Sequence, residues 1–454
     1  MGDVMQGDSR IGLLDHVGGG NLGDEATLQA VASNVKRRWP KAELVAFSMN
    51  PDDTEARHGI KSYPLRRRRW SIGYHPAEAE TTFKKMKTLA RKYEVVFYLL
   101  AMVRLPSEVF RELSFLMTSR RQVRSLDLLI ISGGGQLTGR DGPWGFPYTI
   151  LKWILLARSV GVRCIFLNVG AGPLAQPLTR FFARWALISA DYVSFRDSKS
   201  QDLVREIGFT GESRVFPDNV YGLEFAAPNR NSLDTASRPA VAFAPMPYPD
   251  QGGAPIEKDQ ILYNAFIGKL AGFASWLASQ SYALTFFGTD IGVDPQAIND
   301  LLEALQCQNL IGSQEYGINR PVESVHDLLA KMSGMDYVVT CRFHGVVFAH
   351  LLNKPVLAIA HHPKVAELMS DLGLSTYCID IRDFDSNLLA ERFALMISRT
   401  EEIKTRMAAS LSRNRQLLRS QFDELFSSLR ASEIVRERSR TDELLQARRS
   451  RTGL

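Results

Sequence analysis

Residues 11–47 read IGLLDHVGGGNLGDEATLQAVASNVKRRWPKAELVAF, and this stretch decides the fold class. The apolar run at residues 11–14 predicts a buried strand, residues 24–38 carry a helical apolar period, and residues 44–47 predict a second strand. A glycine-rich turn joins the first strand to the helix. Strand, helix and strand in this order indicate a parallel sheet with crossover helices.

The same alternation continues along the chain, with one interruption. Further strands are predicted at residues 126–132, 164–168, 192–195, 241–245, 284–287, 337–340 and 356–359, and helices at residues 148–160, 178–190, 261–280, 295–305 and 325–331. A polar, proline-bearing stretch at residues 226–239 separates two such units. We therefore predict an α/β protein of two Rossmann-like domains, residues 1–235 and 236–398, followed by a C-terminal helical extension at residues 399–454.

Residues 61–125 do not fit this alternation, and we predict that they form a basic helical insertion in the first domain. They carry roughly three basic residues for each acidic one, and residues 66–69 are four consecutive arginines. Without this segment the chain would be slightly acidic, so the sequence pI of about 9.1 describes the insertion more than the remaining surface. Charged partners are expected to meet the insertion.

The composition bounds the class of protein. With 454 residues, 45% of them hydrophobic and 23% charged, the chain suits a soluble globular protein of two domains. The four cysteines have no metal-ligand or redox spacing and are predicted to be free thiols in a reducing compartment. Asp3 and Asp8 stand where a signal peptide would need positive charge, and the apolar runs in the sequence are too short to span a bilayer. We expect a cytoplasmic protein.

The glycine-rich turn at residues 18–23 formally matches the dinucleotide fingerprint G-x-G-x-x-G. Asp24 and Glu25 would lie at the helix N-terminus, where their charges would repel a pyrophosphate, so a dinucleotide site is disfavoured. A tight turn with Asp24 as the helix N-cap would explain the same residues without a ligand. Asn21 favours a ligand, because its amide can donate and accept hydrogen bonds at the carboxyl end of a strand.

Two further motifs follow predicted strands of the first domain. Three glycines at residues 133–135 would let a ligand approach the backbone, although a flexible turn explains them equally well. Arg196 follows the predicted strand at residues 192–195, beside Asp197 and Ser198, either of which is suited to cap the following helix. Parallel strands end at one sheet edge, so Arg196 and the glycines are expected at one crevice. A solvated surface charge is the alternative for Arg196.

The most informative motif lies late in the chain. Arg342 and His344 directly follow one apolar strand, and Lys364 follows the next. Polar groups in an apolar context are costly without a purpose, although a buried structural histidine remains an alternative. His361 and His362 raise the question of a metal site. Adjacent residues point apart, and the sequence offers no carboxylate or cysteine at a ligand spacing, so no metal is predicted.

Four stretches of the sequence, in their order and spacing, resemble the polysaccharide pyruvyl transferase family. They are NLGD at residues 21–24, the glycines at residues 133–135, SFRDS at residues 194–198, and RFH at residues 342–344 with Lys364. The resemblance covers most of the chain. The predicted insertion and the residues past 398 lie outside it.

The resemblance implies a GT-B-like fold, in which two Rossmann-like domains face each other across a cleft. It also implies a reaction that transfers pyruvate from phosphoenolpyruvate to a sugar as a ketal and releases phosphate, with no cofactor. The implied phosphoenolpyruvate-binding residues are Arg196, Arg342, His344 and Lys364, of which Arg342, His344 and Lys364 are the implied catalytic residues. On the acceptor side the matching residues are Asn21, Asp24, Gly133, Gly134 and Gly135.

The chemistry of these residue types agrees with that implication. Phosphoenolpyruvate carries a carboxylate and a phosphate on three carbons, so its site needs several fixed cations. His344 is the candidate general acid, because histidine titrates near neutral pH and a bound phosphate would favour its protonated form. Asp24 is a candidate base for the attacking sugar hydroxyl. The expected partners are phosphoenolpyruvate and a saccharide acceptor that could be lipid-linked.

Two other functions compete with this interpretation. A GT-B-like nucleotide-sugar glycosyltransferase could use the same cations to hold a diphosphate. A non-catalytic scaffold could use the basic insertion as a nucleic-acid or membrane surface. In an enzyme as well as in a scaffold, the apolar run at residues 93–105 could lie on the inner face of the plasma membrane as a peripheral contact. Lys84, Lys85, Lys87, Arg91 and Lys92 flank this run. Burial of that run against the protein is the alternative. No nucleic-acid recognition motif accompanies the arginines, and the oligomeric state is left open.

Overall fold

The computed structural model describes residues 9–67, 94–140, 142–226, 238–248, 256–307 and 322–452, with side chains except at residues 94–105, 256–259 and 430–452. The strands in this part of the chain form two parallel sheets, each with helices between successive strands. The α/β class and the two Rossmann-like units predicted above are therefore confirmed.

The first sheet has its strands in the order β3-β2-β1-β4-β5-β6-β7. These strands are β1 (Arg10–Leu14), β2 (Glu43–Ser48), β3 (Lys61–Pro64), β4 (Leu128–Ser132), β5 (Arg163–Val169), β6 (Tyr192–Phe195) and β7 (Arg214–Val215). The helices are α1 (Leu22–Arg38), α2 (Pro51–His58), α3 (Glu94–Arg124), α4 (Phe146–Arg158), α5 (Pro177–Ile188) and α6 (Ser198–Glu206). The strand order reverses between β1 and β4, which is where open α/β sheets bind ligands.

The second sheet has the order β12-β11-β10-β8-β9. Its strands are β8 (Ala240–Ala244), β9 (Ala283–Phe286), β10 (Tyr337–Thr340), β11 (Val356–Ala360) and β12 (Cys378–Asp380). Its helices are α7 (Ile256–Ser279), α8 (Asp294–Cys307), α9 (Val325–Ser333), α10 (Phe343–Leu351), α11 (Pro363–Asp371) and α12 (Ser386–Ser398). Here the order reverses between β8 and β10, so the loop after β10 lies at the second switch point.

A long last helix, α13 (Thr400–Thr452), ties the two domains together. Its first turns bury Met407 in the core of the second domain, and its later turns bury Phe422 in the core of the first. Between them, Gln421 donates hydrogen bonds from Nε2 to Asn168 Oδ1 at 2.8 Å and Ser194 Oγ at 3.0 Å, inside the first domain. The predicted C-terminal helical extension is therefore helical, but it packs back onto the first domain.

One predicted boundary differs from the structure. Residues 61–64 form the edge strand β3, so the predicted insertion begins inside the core sheet. That strand was overlooked because its residues are polar and half-exposed and lack an apolar run. The predicted domain boundary near residue 235 and the lysines at residues 84–92 lie outside the described residues. Residues 94–105 form the first turns of α3, but their side chains are not described.

Within the described ranges, one helix is long and apolar enough by length and composition to cross a membrane, namely residues Gln260–Ser279 of α7. Within the fold, its Leu270, Phe273 and Leu277 are fully buried in the core of the second domain. Burial in a globular core explains this apolar composition.

Candidate functional site

The carboxyl ends of β1 and β4 in the first sheet lie opposite the loops after β9 and β10 in the second. Asn21 forms an antiparallel bridge with Asp290, in which the Leu22 N–H donates to the Thr289 carbonyl oxygen at 2.8 Å. The Ile291 N–H donates to the Gly20 carbonyl oxygen at 2.9 Å. The glycine-rich turn of the first domain is thus joined directly to the second domain.

Asn21, rather than Asp24, is the N-cap of α1. Its Oδ1 accepts a hydrogen bond from the Gly23 N–H at 3.0 Å, and the helix begins at Leu22. The predicted cap role of Asp24 is therefore wrong, because Asp24 already lies in the first helical turn. The predicted cap role of Asp197 is confirmed, since its Oδ1 accepts from the Ser200 N–H at 2.6 Å.

Asp24 belongs to a buried charge cluster that the sequence analysis missed. His16 Nε2 lies 3.1 Å from Asp24 Oδ2, and His16 Nδ1 lies 3.3 Å from Asp15 Oδ1. Asp15 also accepts hydrogen bonds from Ser132 Oγ at 2.8 Å and from Gln136 Nε2 at 3.0 Å. Asp15 and His16 are two consecutive polar residues directly after β1, and Arg196 was identified by the same kind of position after β6. The sequence therefore contained a signal for this cluster.

The two carboxylates outweigh burial and raise the pKa of His16 to about 10. The opposite effect holds for Asp24: burial raises its pKa, but His16, His344 and Lys364 together lower it to about 2. A carboxylate with so low a pKa is a weak proton acceptor. The surroundings of Asp24 therefore favour a fixed negative charge over the base role predicted for it.

We expect the His16 cluster to make stability depend on pH. The folded-state pKa of about 10 exceeds the ordinary 6.5, so the contribution is complete below pH 6.5 and is lost as the pH rises through 10. We compare wild type with His16→Gln by the difference between their free energies of unfolding. This difference should fall by about 1 kcal/mol or more as the pH rises from 6.5 to 10. Lys364, whose folded pKa is lowered to about 8, acts in the opposite direction but is present in both proteins. Urea unfolding at several pH values measures the difference, and a constant difference would contradict the cluster.

The three glycines after β4 do not have one common role. Gly133 and Gly134 have φ values of +31° and +65°, which favour glycine. A Cβ at Gly133 would lie 2.2 Å from Thr27 Cγ2, and one at Gly134 would lie 2.7 Å from His16 Cε1. A Cβ at Gly135 would have no atom within 4 Å. Packing inside the protein therefore explains the first two glycines, and Gly135 alone of the three faces open space.

Arg196 reaches from the end of β6 toward the second domain. Its side chain is only 6% exposed, and its Nη1 donates to Asp218 Oδ2 at 3.3 Å. Its guanidinium carbon lies 4.6 Å from the ring centroid of Phe343 in α10. Its Nε is buried and has no hydrogen-bond acceptor within the described part of the chain. Arg196 is thus a buried cation with one donor unused, not a solvated surface charge.

The Phe343 ring also lies beneath Lys364, whose Nζ is 5.7 Å from the ring centroid. Burial, Arg196 and Arg140 lower the pKa of Lys364 to about 8, although Asp24 acts in the opposite direction. Cations from two domains therefore converge on one aromatic ring. Such crowding of positive charge is unfavourable in the absence of an anion.

Arg342 is held by the second domain itself. Its Nε lies 3.1 Å and its Nη2 2.5 Å from Asp294 Oδ1. Asp294 is fully buried, and its Oδ2 accepts hydrogen bonds from the backbone N–H groups of Thr289 and Asp290. Arg342 keeps 21% of its side chain exposed. The ion pair fixes the direction of the guanidinium and leaves part of it free for a ligand.

His344 lies in the first turn of α10, against the N-terminus of α1. A Cβ at Gly23 would fall 1.9 Å from His344 Nδ1, so the absence of a side chain at Gly23 makes room for the imidazole. His344 Nε2 is buried and has no hydrogen-bond partner in the portion of the chain that is described. Burial, together with Arg196 and Lys364, lowers the pKa of His344, while Asp218 and Asp24 oppose this. An anion bound beside it would favour the protonated ring.

The two adjacent histidines have structural partners. His361 Nδ1 lies 2.7 Å from the Cys341 carbonyl oxygen, and His362 caps α11 by accepting from the Lys364 N–H at 3.3 Å. Burial first, and neighbouring cations second, lower the pKa of each to about 4. Among the described residues, no group of three or more histidine, cysteine, aspartate or glutamate residues could hold a metal ion.

The tertiary structure thus brings most of the predicted site residues together where the two domains meet, whereas Gly133 and Gly134 pack inside the first domain. Arg196 and Lys364 lie over the ring of Phe343, and His344 lies beside it. Arg342 is held nearby by Asp294, and Asn21 and Asp24 approach from the N-terminus of α1. The additional residues are Asp15, His16, Arg140, Asp218, Asp294 and Phe343, which orient or surround the predicted ones. This arrangement suits a small ligand with more than one negative charge and places a titratable imidazole beside it.

Comparisons with known proteins agree with this architecture. A family model described as polysaccharide pyruvyl transferase matches residues 21–363. A UDP-GlcNAc 2-epimerase from Methanocaldococcus jannaschii is similar at TM-score 0.51 and 11% identity, over 85% of this chain and 92% of that one. A glycosyltransferase from Rickettsia africae is similar at TM-score 0.51 and 10% identity, over 93% and 99%. At such low identity these structures establish the GT-B-like fold alone.

Proposed function

The chain belongs to the polysaccharide pyruvyl transferase family, and from this premise we propose that it transfers pyruvate from phosphoenolpyruvate to two hydroxyls of a sugar in a polysaccharide or its precursor. The products would be a pyruvate ketal and phosphate. The observation that carries the proposal is the convergence of Arg196 and Lys364, one from each domain, on the ring of Phe343 beside the unpartnered Nε2 of His344.

The charges of the cleft fit phosphoenolpyruvate as the donor. The molecule carries a phosphate and a carboxylate, and the cleft offers the guanidinium groups of Arg196 and Arg342 together with the amine of Lys364. The Nε–H of Arg196 makes no hydrogen bond among the described residues, although Nε lies 3.6 Å from Asp197 Oδ2. Burial, together with the neighbouring cations, lowers the pKa of Lys364 to about 8, and bound anions would offset this crowding of positive charge. Lys364 would then stabilise the departing phosphate.

His344 is the proposed general acid. The protonated imidazole gives its proton to the methylene carbon C3 of phosphoenolpyruvate, which becomes the methyl group and leaves C2 cationic. One sugar hydroxyl adds to C2 and returns a proton to His344. The second hydroxyl then adds to C2 as the bond between C2 and the phosphate oxygen breaks, and its proton leaves with the phosphate. The two hydroxyl protons therefore end on the methyl group and on phosphate.

The acceptor sugar is proposed to bind on the side of the first domain. Gly135 faces open space, and Asp24 holds a fixed negative charge next to His344 and Lys364. A carboxylate and open backbone groups suit sugar hydroxyls. In this proposal Asp24 orients a hydroxyl, and His16 keeps Asp24 ionised.

Phosphate release from phosphoenolpyruvate tests the proposal, with and without a panel of nitrophenyl and lipid-linked sugars. We expect release only with an acceptor, together with a mass increase of the sugar that matches one pyruvate less one water. Release of a nucleotide from a nucleotide sugar, with no phosphate release from phosphoenolpyruvate, would instead support a glycosyltransferase.

A further inference from the structure

Most of the exposed apolar side chains of the described residues lie on one face of the first domain. Of fourteen exposed large hydrophobic residues, ten belong to helices α3, α4 and α5 or to the loop before α4. They are Val109, Phe110, Leu113, Met117, Trp144, Leu155, Leu178, Phe181, Trp185 and Ile188. These three helices pack side by side in one layer against the first sheet, so the residues form a single surface, here termed the apolar face.

An unbroken row of aromatic rings crosses the apolar face. Trp144 lies 5.1 Å from Tyr148 and 5.9 Å from Phe182, measured between ring centroids. Phe181 continues the row, 5.7 Å from Phe182 and 5.9 Å from Trp185. Trp144 is 64% exposed and Phe181 and Trp185 about half-exposed, although a globular protein usually buries such rings.

The charge of the apolar face is predominantly positive. Helices α4 and α5 contain Lys152, Arg158, Arg180 and Arg184 but no acidic residue. On α3, Glu108 and Glu112 are paired with Arg67, Arg111 and Lys152, and Arg120, Arg121 and Arg124 supply further positive charge. Exposed tryptophan and phenylalanine surrounded by arginine are typical of surfaces that bind at the interface of an anionic lipid bilayer.

The apolar face begins next to the cleft. Phe146, at the start of α4 and two residues after Trp144, has its ring centroid 5.2 Å from that of His16, whose Nε2 lies 3.1 Å from Asp24 Oδ2. A membrane lying on the apolar face would therefore meet the protein beside the proposed acceptor site. A lipid-linked sugar could enter the cleft from that membrane without leaving the bilayer.

We propose that the apolar face docks the protein onto an anionic membrane surface. Phe181 and Trp185 enter the region of the lipid headgroups, and the arginines of α4 and α5 contact lipid phosphates. This surface differs from residues 93–105, the segment that the sequence analysis had considered for membrane contact. The proposal concerns binding alone and does not rest on the proposed reaction.

Sedimentation of the full chain with vesicles tests the proposal. The vesicles are phosphatidylcholine, with or without about one third phosphatidylglycerol. We expect the protein to bind the anionic vesicles and the Phe181→Ser/Trp185→Ser variant to bind at least about tenfold more weakly. The Arg180→Glu/Arg184→Glu variant reverses two exposed charges and removes one hydrogen bond, from Arg180 Nε to the Leu174 carbonyl oxygen, and should lose binding to a similar extent. The matched control is Ile261→Ser/Leu262→Ser, because these residues are 70% and 53% exposed on α7, away from the apolar face.

Two results would overturn the proposal. The first is the absence of binding to anionic vesicles, or equal binding by wild type and both face variants. The second is a dimer in light scattering that Phe181→Ser/Trp185→Ser dissociates, with no vesicle binding, which would assign the face to a second copy of the chain. Turnover with a water-soluble acceptor should be the same in wild type and face variants. That assay separates failure of the membrane proposal from failure of the proposed function.

Discussion

Replacement of His344 by Ala should reduce turnover about 10²- to 10⁴-fold, the range for loss of a general acid. The reason is that Nε2 of His344 is a buried titratable group without a partner among the described residues, beside the cations proposed to bind phosphoenolpyruvate. Affinity for phosphoenolpyruvate should change only a fewfold, because Arg196, Arg342 and Lys364 remain. Acceptor-dependent phosphate release gives the turnover, and calorimetry gives the affinity.

Two further variants make the result specific. His344→Gln retains hydrogen-bonding capacity but cannot supply the proton, so it should lose as much turnover as His344→Ala. His326→Ala is the matched control, because His326 is exposed on α9 and packs on Phe225 away from the cleft. Turnover of His344→Ala within about threefold of wild type would exclude His344 as the acid.

Replacement of Arg342 by Ala should lower the free energy of unfolding by about 3 kcal/mol and abolish detectable binding of phosphoenolpyruvate. The stability loss follows because Asp294 is fully buried and would lose the cation that compensates its burial. The loop from Thr289 to Asp294 also pairs with the glycine-rich turn at Asn21, so the damage should reach the contact between the domains. Urea unfolding and calorimetry measure the two effects.

A second substitution separates the structural role of Arg342 from its binding role. In Arg342→Ala/Asp294→Asn the buried charge is removed, while the amide oxygen can still accept from the backbone N–H groups of Thr289 and Asp290. This variant should recover at least half of the lost stability but none of the binding. Arg382→Ala breaks an exposed ion pair with Asp380 and should leave stability nearly unchanged. If phosphoenolpyruvate binding returned together with stability in Arg342→Ala/Asp294→Asn, Arg342 would have only a structural role and would not contact the ligand.

The apolar periodicity of the sequence predicted most of the elements. The predicted strands at residues 192–195 and 337–340 coincide with β6 and β10, because buried parallel strands are continuous apolar runs bounded by polar residues. The same periodicity failed for β3, a half-exposed edge strand without such a run. It also could not foresee that α13 returns to the first domain, since Gln421 finds its partners Asn168 and Ser194 more than two hundred residues away.

The sequence by itself determined the α/β class, the two Rossmann-like units and the candidate residues at the strand ends. It could do so because strand periodicity and the position of a polar residue after a strand are local properties of the chain. Only the tertiary structure decided which groups meet: His16 with Asp24, Arg342 with Asp294, and Arg196 with Phe343. Charge, burial and pKa depend on these neighbours. Arg342 and Asp294, 48 positions apart, meet when the second domain folds, whereas Arg196 and Phe343, 147 positions apart, become neighbours only when the two domains pack together.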